Sequence, residues 1–417
     1  MLAATVVMVV GVTTTAVLSQ RSGFRLGGVM VVPLLAVYTL REVFSPVVFL
    51  AATAAAWAAL YLVREYTLTH GRRVFLVGVV VGAAASILVA FVLEATVAGT
   101  LGYRDAEVVG SIFPGVAAYN LMRVDGERRA ADLTGMAVGF VATVALGVLA
   151  IYATASFDTG LPPVLLLPTT DAVALLGLEG VGTPNPRIVP GALSAGLLLA
   201  DVAVYEWVRA RYDVRLAGII LVPLLAFFSA RYAETAAIYV FGATLVFFAL
   251  SLVHWLTLLY GRNLLAFALC SGLAYSLVVG RYVPAQAPGI VVFYLGQLVG
   301  IGAYNLHRVA PRNRAANIRL SAGLFAAFYL VVATVAVVPP GGLAHEPTLV
   351  HWAGLVTGLG LAGLELVRLE RARPDPAAFA AASVFAEGDA DTDSPLVTGT
   401  GSGVLARFVP DRWGGDS

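Results

Sequence analysis

All 26 basic residues of this 417-residue chain are arginines; there is no lysine. A guanidinium stays charged at any accessible pH, and its fork of N–H donors matches a carboxylate in bidentate geometry. The same choice removes any phosphate-gripping P-loop lysine and any Schiff-base lysine. Arg21, Arg25, Arg72, Arg73, Arg123, Arg211, Arg215, Arg262 and Arg308 stand beside glycine and proline at the ends of apolar runs, with Asn120 and Asn305 close by. Two readings are open for them. Basic residues at such places set membrane topology; alternatively they form a guanidinium ring on the cytoplasmic face that grips carboxylates or docks a partner.

Other catalytic equipment is missing. There is no H-E-x-x-H, no cysteine pair and no G-x-S-x-G elbow, and the single Cys270 lies in an apolar run. His70, His254, His307, His345 and His351 sit at loop edges without ligand-like spacing. No metal, no cofactor and no catalytic activity of the chain alone are therefore expected. Glu94, Asp201, Glu206 and Glu365 lie in or near apolar runs, where an ionisable group costs several kcal/mol and is a functional candidate by default. Tyr119 and Tyr304 suit interfacial anchoring, and the two asparagines suit packing or capping.

These residues must be positioned by membrane helices. With 59% apolar and 12% charged residues and a mean hydropathy of +0.87, a soluble fold and a nucleic-acid partner are excluded. Apolar runs of membrane-spanning length fall at 3–19, 26–40, 44–63, 74–98, 106–122, 133–155, 188–208, 216–230, 235–258, 263–280, 285–306, 318–338 and 348–367. Runs 26–40 and 216–230 are short, and Pro33 and Pro223 in their middles are expected to free a carbonyl and bend the helix. The first arginine, Arg21, follows the first apolar run, which argues for an uncleaved span with the N-terminus outside. Alternate loops then collect 21 of the 26 arginines on the cytoplasmic side, which leaves Arg41, Arg104, Arg187, Arg231 and Arg281 outside. That asymmetry favours thirteen crossings over re-entrant hairpins. The expected fold is an all-α polytopic protein with a cytoplasmic C-terminus. Residues 156–187 form an external linker whose apolar stretches Val164–Leu167 and Ala172–Leu178 lie on the membrane surface, and residues 371–417 form an acidic disordered tail.

The chain also repeats itself. Arg25–Ala36 and Arg215–Ala226 share 8 of 12 residues at an offset of 190, which also pairs Gly28 with Gly218, Pro33 with Pro223 and Gly71 with Gly261. At an offset of 185, Ala118-Tyr-Asn-Leu-Met-Arg-Val124 matches Ala303-Tyr-Asn-Leu-His-Arg-Val309. Residues 1–155 and 188–338 thus read as two parallel six-span repeats, and 339–370 as an added helix. Gly78-x-x-x-Gly82-x-x-x-Ser86 answers Ala268-x-x-x-Gly272-x-x-x-Ser276, and Ser111-x-x-x-Gly115 answers Gly296-x-x-x-Gly300. Small residues at this spacing are expected to let helices pack closely. Gly358-x-Gly-x-x-Gly363 imitates a dinucleotide fingerprint but lacks a preceding strand, so packing is expected there too.

Several of these segments in order resemble the PgsC/CapC family, the membrane subunit of poly-γ-glutamate synthase. They are Gln20-Arg-Ser-Gly23 followed by Gly28 to Pro33; His70-Gly-Arg-Arg73 with its weaker copy Tyr260-Gly-Arg-Asn263; and Phe113-Pro114-Gly115-Val-Ala-Ala-Tyr-Asn120. The chain departs from the family in being two fused copies, in Leu34 and Leu224 where a glycine is usual, in Gln20 for an acid, and in Val299 opposite Pro114. The resemblance implies an ATP-dependent, Mur-ligase-like PgsB/CapB-type partner, a PgsA/CapA-type membrane-anchored subunit, and a polyanionic γ-glutamyl chain passing through or along the bilayer. A different class, a stand-alone secondary transporter of a small anion, remains the alternative, with the membrane acids as its working residues.

Overall fold

In a computed structural model of the chain, the described residues are 1–69, 71–101, 112–157, 159–182, 191–335 and 349–373. The acidic tail beyond 373, His70, Arg104, Asp158, Ser111, Arg187, His345 and the Glu94 side chain lie outside them. Among the described residues there is no strand. The helices are α1 (Leu2–Ser22), α2 (Val31–Arg41), α3 (Ser45–Tyr66), α4 (Arg72–Leu101), α5 (Phe113–Met122), α6 (Gly126–Ala155), α7 (Asp171–Leu175), α8 (Gly191–Tyr212), α9 (Leu221–Arg231), α10 (Glu234–Thr257), α11 (Gly261–Tyr282), α12 (Gly289–Arg308), α13 (Pro311–Val335) and α14 (Leu349–Arg371). Nine of the described helices are long and apolar enough to cross a membrane. The chain is an all-α, multi-pass membrane protein.

The two short runs behave differently from full spans. α2 and α9 have 11 residues each, or about 16 Å of helix, roughly half the hydrocarbon thickness. The backbone that leads into each, residues 23–30 and 213–220, is irregular. Pro33 and Pro223 therefore stand in the first turn of these half-helices and not in mid-helix. No intrahelical bond is expected from an N–H at that position, so neither proline gives a reason for the expected bend. Both half-helices are central: Leu221 to Ala230 are all buried, as are Val31 to Tyr38. α12 shares this core, with every residue from Gly289 to Gly300 buried.

The linker also departs from expectation. Val164, Leu165, Leu167, Ala172 and Val173 are buried, several of them in one cluster with Leu34, Val37, Leu40 and Ile290. Residues 164–167 and 172–173 are packed over the ends of the central helices and not spread on the membrane surface, whereas Leu175 of the second stretch is 76% exposed. Asp171 Oδ2 accepts the Val43 N–H at 2.8 Å, and a Cβ on Gly289 would meet the carbonyl oxygens of Pro162 and Pro163. Burying apolar side chains in protein satisfies the same hydrophobic drive that sequence assigns to lipid.

Contacts between the halves are reciprocal. The first helix of each half packs on the fourth of the other: α1 along α11, and α8 against α4. The added helix α14 lies on α13, where Gly358 meets the Ala322 carbonyl while Gly360 and Gly363 have nothing beside them. Packing thus explains the first glycine of the fingerprint-like string and not the other two. Glu365, 2% exposed, pairs with Arg319 at 2.6 Å and Arg368 at 3.3 Å.

Candidate functional site

The irregular segments before α2 and α9 are built alike. Gly28 and Gly218 have φ of +124° and +154°, and a Cβ on either would press on the side-chain amide of Asn120 or Asn305. Those amides have a reason to be close. Asn120 Nδ2 donates to the Gly27 carbonyl at 2.9 Å, and Asn305 Nδ2 to the Ala217 carbonyl at 2.6 Å. A second anchor comes from the sixth helix of each half. Asp132 Oδ1 accepts the N–H groups of Arg25 (2.7 Å) and Leu26 (3.2 Å). Asn317 donates to the Arg215 carbonyl at 2.5 Å, and Ser321 Oγ accepts the Ala217 N–H at 2.9 Å. Asp132 and Asn317, 1% and 2% exposed, were missed in the sequence reading. The offset of 185 that pairs the two YN motifs pairs them as well.

Truncating an asparagine would leave a half-buried carbonyl unpaired, at a cost of about 1–3 kcal/mol. Asn305→Ala should therefore lower the unfolding temperature of the detergent-solubilised protein, and Asn120→Ala should do the same. Scanning calorimetry or fluorescence-detected melting would check this, and unchanged melting in both would remove the anchoring role.

The arginines gather at the two seams between the halves. At one seam Arg262 Nη1 donates to Ser19 Oγ at 2.5 Å and to the Phe24 carbonyl at 3.4 Å, while Asn263 Nδ2 donates to Gln20 Oε1 at 2.9 Å. Arg262 there feels the charges of Arg25, Asp132 and Arg123. At the other seam Arg72 is ion-paired with Glu206 and lies 4.7 Å over the Tyr205 ring. Arg209 beside it feels Arg72, Arg215 and Glu206. The repeat relates Arg25 to Arg215 and Arg72 to Arg262. Each cluster is thus composite, joining the arginine before the half-helix of one repeat to the fourth-helix arginine of the other.

Instead of one ring, then, the structure holds two clusters, and it does not bring every candidate into them. Arg211 is held by Glu370 (2.6 and 3.1 Å), whose carboxylate also accepts the Tyr212 hydroxyl. Arg21 and Arg73 are exposed. Arg123 and Arg308 lie over Tyr119 and Tyr304 at 5.8 and 5.6 Å, a matched pair. Arg209, outside the expected set, belongs to the second cluster. Gly71, just before α4, and Gly261, the first residue of α11, have φ of +65° and +61°, with open space at the Cβ position. Pro114 and Gly115 are buried at the start of α5, and Gly115 contacts the α4 backbone at Gly78 and Val79.

The acids fall into two kinds. Glu206 and Glu365 are paired, as above. Asp201, on the buried side of α8, is fully buried, and neither of its carboxyl oxygens has a hydrogen-bond partner among the described residues. Two histidines far apart in sequence meet: His254 and His307 have ring centroids 5.2 Å apart. Among the described residues, no group of three or more His, Cys, Asp or Glu side chains could hold a metal.

A family model described as capsule biosynthesis CapC matches the chain twice, over residues 10–130 and 202–315, together more than half its length. The two matches each cover the span from the first helix of a half to the start of its sixth. No curated protein and no solved structure matches the chain.

Proposed function

The chain belongs to the CapC family of capsule biosynthesis, and from that premise we propose that it is the integral membrane subunit of a poly-γ-glutamate biosynthesis and export complex. In this reading an ATP-dependent, Mur-ligase-like PgsB/CapB-type subunit makes the amide bonds and a PgsA/CapA-type subunit sits beside it in the membrane. The chain receives the polyanion and passes it outward. The observation that carries this is the pair of composite arginine clusters. Arg262 lies within electrostatic range of Arg25 and Arg123 and of one carboxylate, Asp132, whose Oδ1 already accepts two backbone N–H groups. A surplus of guanidinium charge in a partly desolvated place is costly unless an anion meets it, and a chain of carboxylates meets it repeatedly. The arginine-rich face is then cytoplasmic, with the N-terminus outside and the C-terminal tail inside, as the arginine distribution asks.

The direct test is a pull-down of the tagged chain in mild detergent from its native host. A stoichiometric ATP-dependent ligase in the eluate, together with loss of poly-γ-glutamate in a deletion strain, supports the proposal. Polymer production that persists in the deletion strain defeats it.

One observation favours the second reading, a stand-alone transporter of a small anion: the solitary carboxyl of Asp201. An unpaired acid in a membrane helix is a usual place for proton coupling. Asp201→Asn separates the two readings. In a synthase subunit the amide replaces a carboxyl that bonds to nothing described, so polymer yield should stay within about twofold of wild type. Loss of solute uptake by the purified protein in liposomes on the same substitution would instead establish the transporter.

A further inference from the structure

At the face opposite the seams, the two half-helices end side by side around α12. The repeat relates Tyr38 to Phe228 and Arg41 to Arg231, all at an offset of 190. The Tyr294 ring of α12 is flanked by both aromatics, with centroids 6.3 Å from Tyr38 and 6.5 Å from Phe228. The helix ends match in detail: the Glu42 N–H bonds the Tyr38 carbonyl, and the Tyr232 N–H the Phe228 carbonyl, both at 2.7 Å. Arg41 and Arg231 each follow one turn after these aromatics, so each half contributes one arginine at this end. Arg41 is within hydrogen-bonding reach of Tyr294. Gln297, one turn from Tyr294 on α12, is 4% exposed.

Neutralising a helix dipole accounts for a basic residue at each C-terminal end. It does not account for two donors left over. Arg231 Nη1 and Gln297 Nε2 are buried without a hydrogen-bond partner among the described residues, and an unmet buried donor is expensive. Two acids of this end each hold backbone N–H groups through one oxygen. Glu234 Oε1 accepts the Gln286 and Ala287 N–H groups (2.9 and 3.1 Å), and Asp171 accepts that of Val43.

We propose that Arg41, Arg231 and Gln297 form a carboxylate-binding site between the two halves, and that its ligand is an α-carboxylate of a γ-linked glutamyl chain. The identity of the ligand rests on the function proposed above; the site itself does not. Two guanidiniums and an amide N–H suit a carboxylate, and the flanking rings exclude water and strengthen the charge contacts. An anion drawn in at the arginine seams would find a second cationic station here, on the far side of the half-helices.

Binding of a γ-glutamyl pentapeptide and of citrate to the purified full-length protein in detergent, followed by calorimetry, tests this. Arg231→Gln and Arg41→Gln should each weaken pentapeptide binding at least about tenfold. Arg231→Lys should restore part of it, Gln297→Met should weaken it more modestly, and Arg281→Gln, an arginine of the same face outside the site, should change nothing. Should Arg231→Gln fail to fold, the lysine and methionine variants carry the test. Equal affinity in wild type and all these variants would overturn the site while leaving the proposed function to the deletion strain. Arg231-dependent binding of citrate without the pentapeptide would keep the site and remove the glutamyl ligand. Binding of neither would overturn the proposal.

Discussion

Glutamine in place of both Arg72 and Arg262 should bring poly-γ-glutamate on the cell surface down to the level of a strain lacking the chain, while Arg73→Gln leaves it unchanged. The two targets are repeat equivalents, but each works in the other's half: Arg262 reaches Ser19 and Phe24 of the first repeat, and Arg72 pairs with Glu206 of the second. Arg73, the next residue along from Arg72, is exposed and joins neither cluster. A single substitution removes one guanidinium and leaves the other seam whole, so each should lower yield only partially, by about threefold to tenfold for a contact worth roughly 1 kcal/mol. The double substitution weakens both seams together. Polymer must be normalised to the amount of chain in the membrane by immunoblot, because Arg262 also ties α11 to α1. A double variant that is present at normal level and still makes normal polymer would remove the clusters from the mechanism and return these arginines to topology alone.

How much of this was legible in sequence depends on the distance over which each feature is determined. Thirteen apolar runs correspond to helices because a membrane leaves the backbone no other way to satisfy its polar groups. The half-helices were not legible. An apolar run such as 26–40 reads the same whether its first residues are helix or buried irregular backbone. What distinguishes them here is Asn120 and Asp132, about a hundred residues away, taking up the backbone groups that a helix would have paired internally. Asp132 itself was hidden because span six was drawn from residue 133, whereas α6 begins at Gly126. The linker was misplaced for a related reason: Val164–Leu167 is apolar enough for lipid, and nothing local says that the ends of α2 and α12 are there to cover. The arginines were found by type and position, but their grouping was not. Span order suggests one ring, and only the packing of α1 on α11 and of α8 on α4 splits it into two composite clusters.

The seams hold only while the helices within each half approach closely, and the largest stability effects should follow from that approach. Gly115→Val should abolish recovery of folded protein, and Gly300→Val should do so nearly as completely. A Cβ at Gly300 would stand 2.6 Å from the Ala268 carbonyl oxygen and 2.9 Å from Leu269 Cα; one at Gly115 would strike the Gly78 carbonyl and lie 2.7 Å from Val79 Cα. The obstacles are backbone atoms, so no rotamer change relieves them, and α12 would have to withdraw from α11, or α5 from α4. In water an overpacked core of this kind costs about 1–3 kcal/mol or more. In a bilayer the separated helices find lipid as favourable as each other, so little pulls them back together. Gly78→Ala should be far milder, since its Cβ would sit 3.2 Å from the flexible end of Leu60 as well as the Gly115 oxygen, and Gly126→Ala should be silent, with nothing within 4 Å. The graded series Gly115, Gly300, Gly78, Gly126 is read as the fraction of chain eluting as a single species in mild detergent. A flat series would mean that the small-residue faces do not carry the packing. If only the first two fail, then the α4–α5 and α11–α12 contacts set the spacing of the helices that hold the seams, because Asn120 and Asn305 ride on α5 and α12 and hold Gly27 and Ala217 beside Arg25 and Arg215 only while those helices stay close.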